Sequence, residues 1–189
     1  MSGGNIVGNY ALYWGGGVYI QGGSTVFNMT GGKITGNYTG VCGAGVVVHS
    51  YNGSAPTFNM SGGSITGNVA DPKLVDTHGQ GSGVYVGNGT FTMSGNSSVT
   101  GNTASRKGGG VYIESGTFTM SGNSSVSENK VIKGMSGGVC ISEYGATFNV
   151  SGAPVIDNNY YYNGTTTAAE RNAEVYHTKT ITVTGALTD

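Results

Sequence analysis

The sequence predicts an all-β chain coiled into a right-handed, three-faced parallel β-helix, a β-solenoid of about six rungs, and three observations carry that expectation. Gly supplies 37 of the 189 residues, while Lys and Arg together number 8 and Asp and Glu 9. Leu, the most useful helix-core residue, occurs only as Leu12, Leu74 and Leu187, whereas Val, Ile, Thr and Tyr abound, a mixture that favours pleated backbone. The glycines follow no Gly-X-Y period and alternate with short apolar triplets, so neither collagen nor a disordered chain fits. Finally, the chain repeats a unit of about 27 to 38 residues.

Each unit holds three pieces in a fixed order. The first is an apolar-x-apolar triplet after Gly: Gly83-Val84-Tyr85-Val86, with copies beginning at Gly17, Gly45, Gly110 and Gly138 and a degraded one at Glu174. The second reads Phe91-Thr92-Met93-Ser94-Gly95 and recurs from Phe27, Phe58, Phe118, Phe148 and Ile181. The third, Val99-Thr100-Gly101-Asn102, recurs with final residues Asn9, Asn37, Asn68, Asn129 and, from Val155-Ile156-Asp157, Asn158. Every piece alternates apolar and polar between Gly, Asn or Ser, the pattern of a short strand bounded by turns. One rung alone buries little, but stacking equivalent strands at about 4.8 Å gathers all the apolar side chains into one column. Connections between parallel strands favour right-handed winding.

Phase then assigns the faces. Phe91, Met93, Val84 and Val86 point inward, and Thr92 and Tyr85 point outward, so stacked aromatics are expected on an outer face. Asn9, Asn37, Asn68, Asn102, Asn129 and Asn158 are expected to form a structural ladder of side-chain amides at one corner. Met1-Ser2-Gly3-Gly4 matches Met60-Ser61-Gly62-Gly63, which places residue 1 inside a rung. Residues 1–189 are therefore expected to be one β-helix domain, a segment of a longer repetitive surface protein, with Thr178 to Asp189 as a partial cap.

Gly-Gly-Gly-Val-Tyr-Ile at 108–113, Gly-Thr-Phe-Thr-Met-Ser-Gly at 116–122 and Ser-Val-Thr-Gly-Asn at 98–102 resemble the right-handed parallel β-helix repeats of bacterial surface proteins. Those proteins are adhesin-like and belong to the pectin-lyase-like superfamily; the likeness extends more distantly to the passenger repeats of chlamydial polymorphic membrane proteins. The resemblance spans nearly the whole chain and implies a secreted or surface-displayed stalk or adhesin. The superfamily mixes polysaccharide enzymes, tail spikes and adhesins, so the resemblance does not choose among them.

A formal charge of -1 and a pI near 6.3 supply no basic stripe for phosphates, so no nucleic-acid partner is expected. No apolar run approaches the roughly 18 residues of a membrane helix, and direct membrane insertion of this segment is not expected. Deviations from the repeat are where a site would be built. Two long insertions, Val69 to Gln80 and Asn159 to Arg171, leave the same corner as the short segments Tyr10 to Trp14 and Tyr38 to Cys42. Tyr10, Tyr13, Trp14, Tyr38, Asp76, His78, Tyr160, Tyr161 and Tyr162 are thus the candidate ligand-binding residues, because Tyr and Trp offer flat apolar surface with a polar rim. The alternative is that these rings simply cover the flank or ends of the coil.

Glu128 and Asp157 each replace the Gly of the third piece in adjacent rungs, placing their backbones about 5 Å apart, a separation resembling that of the paired acids of a retaining glycosidase; the leading reading of both is nevertheless a solvated corner, and no catalytic residue is assigned. His49, His78 and His177 occupy different corners, so no metal and no cofactor is expected. Cys42 and Cys140 lie three rungs apart, roughly 14 Å along the axis, beyond disulfide reach. The leading expectation is a non-enzymatic bacterial adhesin or stalk at the cell surface, displaying loops to a host or bacterial glycan or surface protein. The alternatives are a polysaccharide hydrolase or lyase using Glu128 and Asp157, and an ice-binding solenoid using the outward Thr and Ser rows such as Thr90, Thr92, Thr117 and Thr119.

Overall fold

Short strands bounded by Gly and Asn can bury their apolar side chains only by stacking, and the chain does so throughout. The computed structural model describes residues 1–51, 53–71, 79–162, 168–175 and 181–187, and among them there are strands and no helix. The coil makes about five turns and is six strands deep on its simplest face. That face stacks Asn5–Val7, Lys33–Thr35, Ser64–Thr66, Ser98–Thr100, Ser125–Ser127 and Val155–Asp157, all parallel.

A second sheet follows each Asn: Tyr10–Ala11, Tyr38–Thr39, Val69–Ala70, Thr103–Ala104, Lys130–Val131 and Tyr160–Tyr162. It closes on Ala168–Glu170, which pairs antiparallel with Tyr160–Tyr162, in contrast to the parallel pairs of the coil. The third sheet carries the first and second repeat pieces together. In Val84–Met93 and Val111–Met120 the two pieces run as a single strand, with the register irregular at Gly87 and Gly89 where the face bends.

Like residues stack on like residues because the register is continuous. Phe27, Phe58, Phe91, Phe118 and Phe148 form a ring column with centroid separations of 5.2, 4.9, 4.9 and 5.0 Å. Met29, Met60, Met93 and Met120 run beside it, and Ile34, Ile65, Val99 and Val126 face it from the first sheet, all fully buried. Burying each such side chain contributes about 1.5–3 kcal/mol, which is how strands of three or four residues persist.

Two expectations are corrected. Tyr85 and Tyr112 do not lie on an exposed face: each is 2% exposed. Between the second and third sheets the chain throws an arm back across the outward side of the strand, with Trp14, Cys42, Gln80, Lys107 and Met135 bridged one above the next. Val47, Tyr85, Tyr112 and Cys140 lie under these arms and form a second small core with Val41 and Cys42. The other correction is a register slip in the last rung. Ser125, Val126 and Ser127 pair with Val155, Ile156 and Asp157, so Ile156 points inward and Asn159, not Asn158, follows Asn129 in the ladder. Both cysteines are free and buried, as expected from their separation.

Candidate functional site

The corner asparagines are structural. Asn37 Nδ2 donates to Asn68 Oδ1 at 2.9 Å, and the same oxygen accepts the Asn37 backbone N–H at 2.9 Å. The second Nδ2 hydrogen goes to the Ile6 carbonyl at 3.1 Å. This pattern repeats through Asn68, Asn102 and Asn129 to Asn159, so every amide in the buried column is satisfied. Asn172, which no repeat piece predicted, extends the ladder by accepting from Asn159 Nδ2 at 3.1 Å, and its own amide donates to Glu170 Oε1 at 2.8 Å. Asn158 sits one position earlier with φ 51°, in the place Glu128 takes with φ 57° one rung below.

This register separates the paired acids. Asp157 stands beside Ser127 on the first sheet, whereas Glu128 is level with Asn158 at the corner and exposed. Asn158 Nδ2 donates to Asp157 Oδ2 at 3.1 Å, and the facing carboxylate pair that the sequence suggested does not form. Among the described residues no group of three or more His, Cys, Asp or Glu side chains is placed to hold a metal ion. The hydroxyl rows are equally interrupted. Thr57, Thr90, Thr117 and Thr147 make one column, but its neighbour runs Asn28, Asn59, Thr92, Thr119, Asn149.

The ligand-binding candidates divide between the two ends. Tyr10, Tyr38 and Tyr160 do occupy one column, as the common corner implied. Four steps of about 4.8 Å, roughly 19 Å, nevertheless separate Tyr38 from Tyr160. Tyr160, Tyr161 and Tyr162 belong to the antiparallel closing pair, where the Tyr161 ring lies 5.6 Å from the Arg171 guanidinium. Asp76 and His78 lie outside the described residues.

At the opposite end the rings converge. Tyr10 and Tyr38 stack at 5.4 Å, and the Tyr38 hydroxyl donates to the Asp71 carbonyl at 2.8 Å. Next to them, Ala11, Leu12, Tyr13, Trp14, Tyr19 and Tyr51 line an open groove of about 550 Å³. Tyr13 and Tyr51 are 60% and 65% exposed; Tyr144, at 67%, is equally bare, but Tyr13 and Tyr51 share one cleft with Trp14 and Tyr19. Trp14 rides the first arm and packs 6.2 Å from Tyr19, 4.9 Å from His49, 6.1 Å from Tyr51 and 5.7 Å from Tyr85, so three successive rungs hold it. Burial and a hydrogen bond to Tyr51 push the Tyr19 hydroxyl up to about 12.

His49 packs against these rings, 9% exposed, and among the described residues neither of its ring nitrogens has a hydrogen-bond partner. Tyr19, Tyr51 and His49 are the members that the sequence did not single out. The signal was present: His49 ends the second rung's first strand with Ser50-Tyr51 just after it, and aligning that strand with Val18–Gln21 puts His49 beside Gln21, two residues past the Tyr19 column and so on the same side of the strand.

Fold and groove together define a parallel β-solenoid repeat protein with an aromatic groove in its first rungs. No family model matches the chain, nor does any curated protein or solved structure.

Proposed function

We propose that this protein is a non-enzymatic adhesin or stalk of a bacterial cell surface, in which a rigid solenoid presents the Tyr13, Trp14, Tyr19 and Tyr51 groove to a glycan or surface protein. The observation that carries the reading is the groove itself. The repeat explains the Gly, Asn, Phe and Met positions by packing, but packing within the coil gives no reason for the exposed rings of Tyr13 and Tyr51 to share one groove with Trp14 and Tyr19. Such rings combine apolar area with hydroxyl rims and lose little entropy on binding, which suits recognition surfaces.

An extracellular location is compatible with the two thiols. Burial pushes the Cys140 thiol up to about 12 and the Cys42 thiol higher still, so neither offers thiolate to an oxidant at neutral pH. The test is adhesion: the purified chain applied to glycan arrays and to host cells, beside Tyr13→Ala, Tyr51→Ala and Tyr161→Ala variants. Binding is expected to fall at least about tenfold in the first two and to persist in the third. Adhesion that survives the double Tyr13→Ala, Tyr51→Ala change would remove the groove from the account.

A further inference from the structure

We infer that the groove takes a neutral pyranose sugar, with Trp14 and Tyr51 as stacking surfaces and His49 as the buried hydrogen-bonding partner. This deepens, and rests on, the reading of the groove as the binding surface. Three observations choose the class of ligand.

Size is the first. A cleft of about 550 Å³ lies within the range of roughly 300–1,000 Å³ typical of small-molecule sites. A protein partner would instead need on the order of 1,000 Å² of interface.

Charge is the second. Residues 1–60 contain a single Lys, Arg, Asp or Glu side chain, Lys33, and it lies on the first sheet at the start of Lys33–Thr35. All six groove-lining side chains are uncharged. Among the lining side chains an anionic sugar such as a uronate finds no cation to replace its lost hydration, and a cationic ligand finds no carboxylate. A neutral pyranose has an apolar face of C–H groups for the rings and an equatorial rim of hydroxyls for the polar atoms around them.

The third is His49. A buried imidazole lacking partners on both nitrogens calls for an explanation in any folded chain. Its ring meets Tyr51 edge-on at 4.4 Å and Trp14 at 4.9 Å, so it touches two of the lining rings directly. Tyr51 is the exposed one of the pair and is held by its hydroxyl contact with Tyr19. A sugar hydroxyl entering between the Trp14 and Tyr51 rings meets the imidazole, which can donate from one nitrogen and accept at the other. Gly87 preserves the space, since a Cβ there would come within 2.5 Å of His49 Nδ1.

Trp14 is the only tryptophan, so its emission reports on the groove without a label. The intact chain is titrated with neutral pentasaccharides of glucose, galactose, mannose and xylose, and with pentagalacturonate as the charged counterpart. At least one neutral saccharide is expected to quench or shift the Trp14 emission, with affinity unchanged by high salt. Tyr51→Ala is expected to weaken that binding about tenfold or more, and Tyr160→Ala to leave it intact. His49→Phe keeps an aromatic ring but removes both nitrogens; it is expected to weaken binding several-fold while the free protein melts no lower than the parent. Silence with every neutral saccharide, binding of pentagalacturonate alone, or loss of affinity with salt would overturn the inference. Unchanged affinity in His49→Phe would overturn the part given to His49. Adhesion that Tyr51→Ala abolishes while all saccharides stay silent would sink this inference and leave the proposed function standing.

Discussion

Asn102 shows how much one side chain can hold. Its Oδ1 accepts from both the backbone N–H and the Nδ2 of Asn68, at 3.0 and 2.9 Å, and its Nδ2 donates to Asn129 Oδ1 and the Ile65 carbonyl at 2.9 and 3.0 Å. Asn102→Ala therefore strands several buried polar groups at once and is expected to cost about 3–5 kcal/mol in a urea titration. Asn9→Ala, at the exposed first step of the ladder, is expected to cost less than about 1 kcal/mol. Thiol chemistry gives a second residue-scale outcome: Ellman's reagent should find no thiol in the folded protein at neutral pH and both in denaturant, because Cys42 and Cys140 are buried and held protonated. The ladder was legible in the sequence up to Asn129. The last step was misplaced because Asn158 and Asn159 are adjacent and either completes an apolar-x-x-Asn pattern. Counting from Ser-Gly resolves it, since Ile156 follows Ser151 as Val126 follows Ser121.

Glycine has different duties in different elements. A Cβ at Gly83 would lie 2.5 Å from the Gly110 carbonyl oxygen and 2.6 Å from Val99 Cγ1, between one rung's backbone and the core. Gly36 has φ +62° but open space where its Cβ would go. Gly83→Ala should thus lower stability by more than about 3 kcal/mol or prevent folding, and Gly36→Ala by only about 1 kcal/mol of backbone strain; paired urea midpoints decide. The strands of the first and third sheets were readable because their alternation runs over three or more residues. The two-residue strands of the second sheet, such as Thr103–Ala104, are too short to show a period. The arms were invisible for a related reason: Tyr85 and Tyr112 read as outward, which they are, and nothing local reveals that Cys42 packs with Tyr85 or that Lys107 lies over Tyr112. Only part of the groove was legible on the same grounds. Tyr13 and Trp14 come from the first rung and His49 and Tyr51 from the second, and their meeting depends on register.

At the scale of the whole molecule, the second core sets an alkaline limit. Burial, followed by its hydrogen bond to Glu114, raises the Tyr85 hydroxyl far above the ordinary 10.0; burial likewise raises Tyr112, Cys42 and Cys140, the last from 9.0 to about 12. These groups keep their protons in the folded chain at a pH where the unfolded chain releases them. Below about pH 8 both states are protonated and nothing changes; above it the unfolded state is increasingly favoured, first through its thiols and then through its phenols. The melting temperature is expected to be flat from neutral pH to about 8 and to fall steadily toward 12, and Cys42→Ala with Cys140→Ala should soften the early part of that fall. A melting temperature that rises through this window would contradict the burial of these groups.

The continuous parallel register underlies the ring columns, the amide ladder and the meeting of three rungs around Trp14. Val7, Thr35, Thr66, Thr100, Ser127 and Asp157 mark it as one outward column. Nitroxide labels on cysteines placed at Val7 and Asp157, and separately at Thr35 and Asp157, measure it by pulsed dipolar spectroscopy, with the native thiols shielded by burial. Five and four steps should give separations near 24 and 19 Å, differing by about one rung of 4.8 Å. Equal separations, or a longer one for Thr35 than for Val7, would mean that the rungs do not stack in this order.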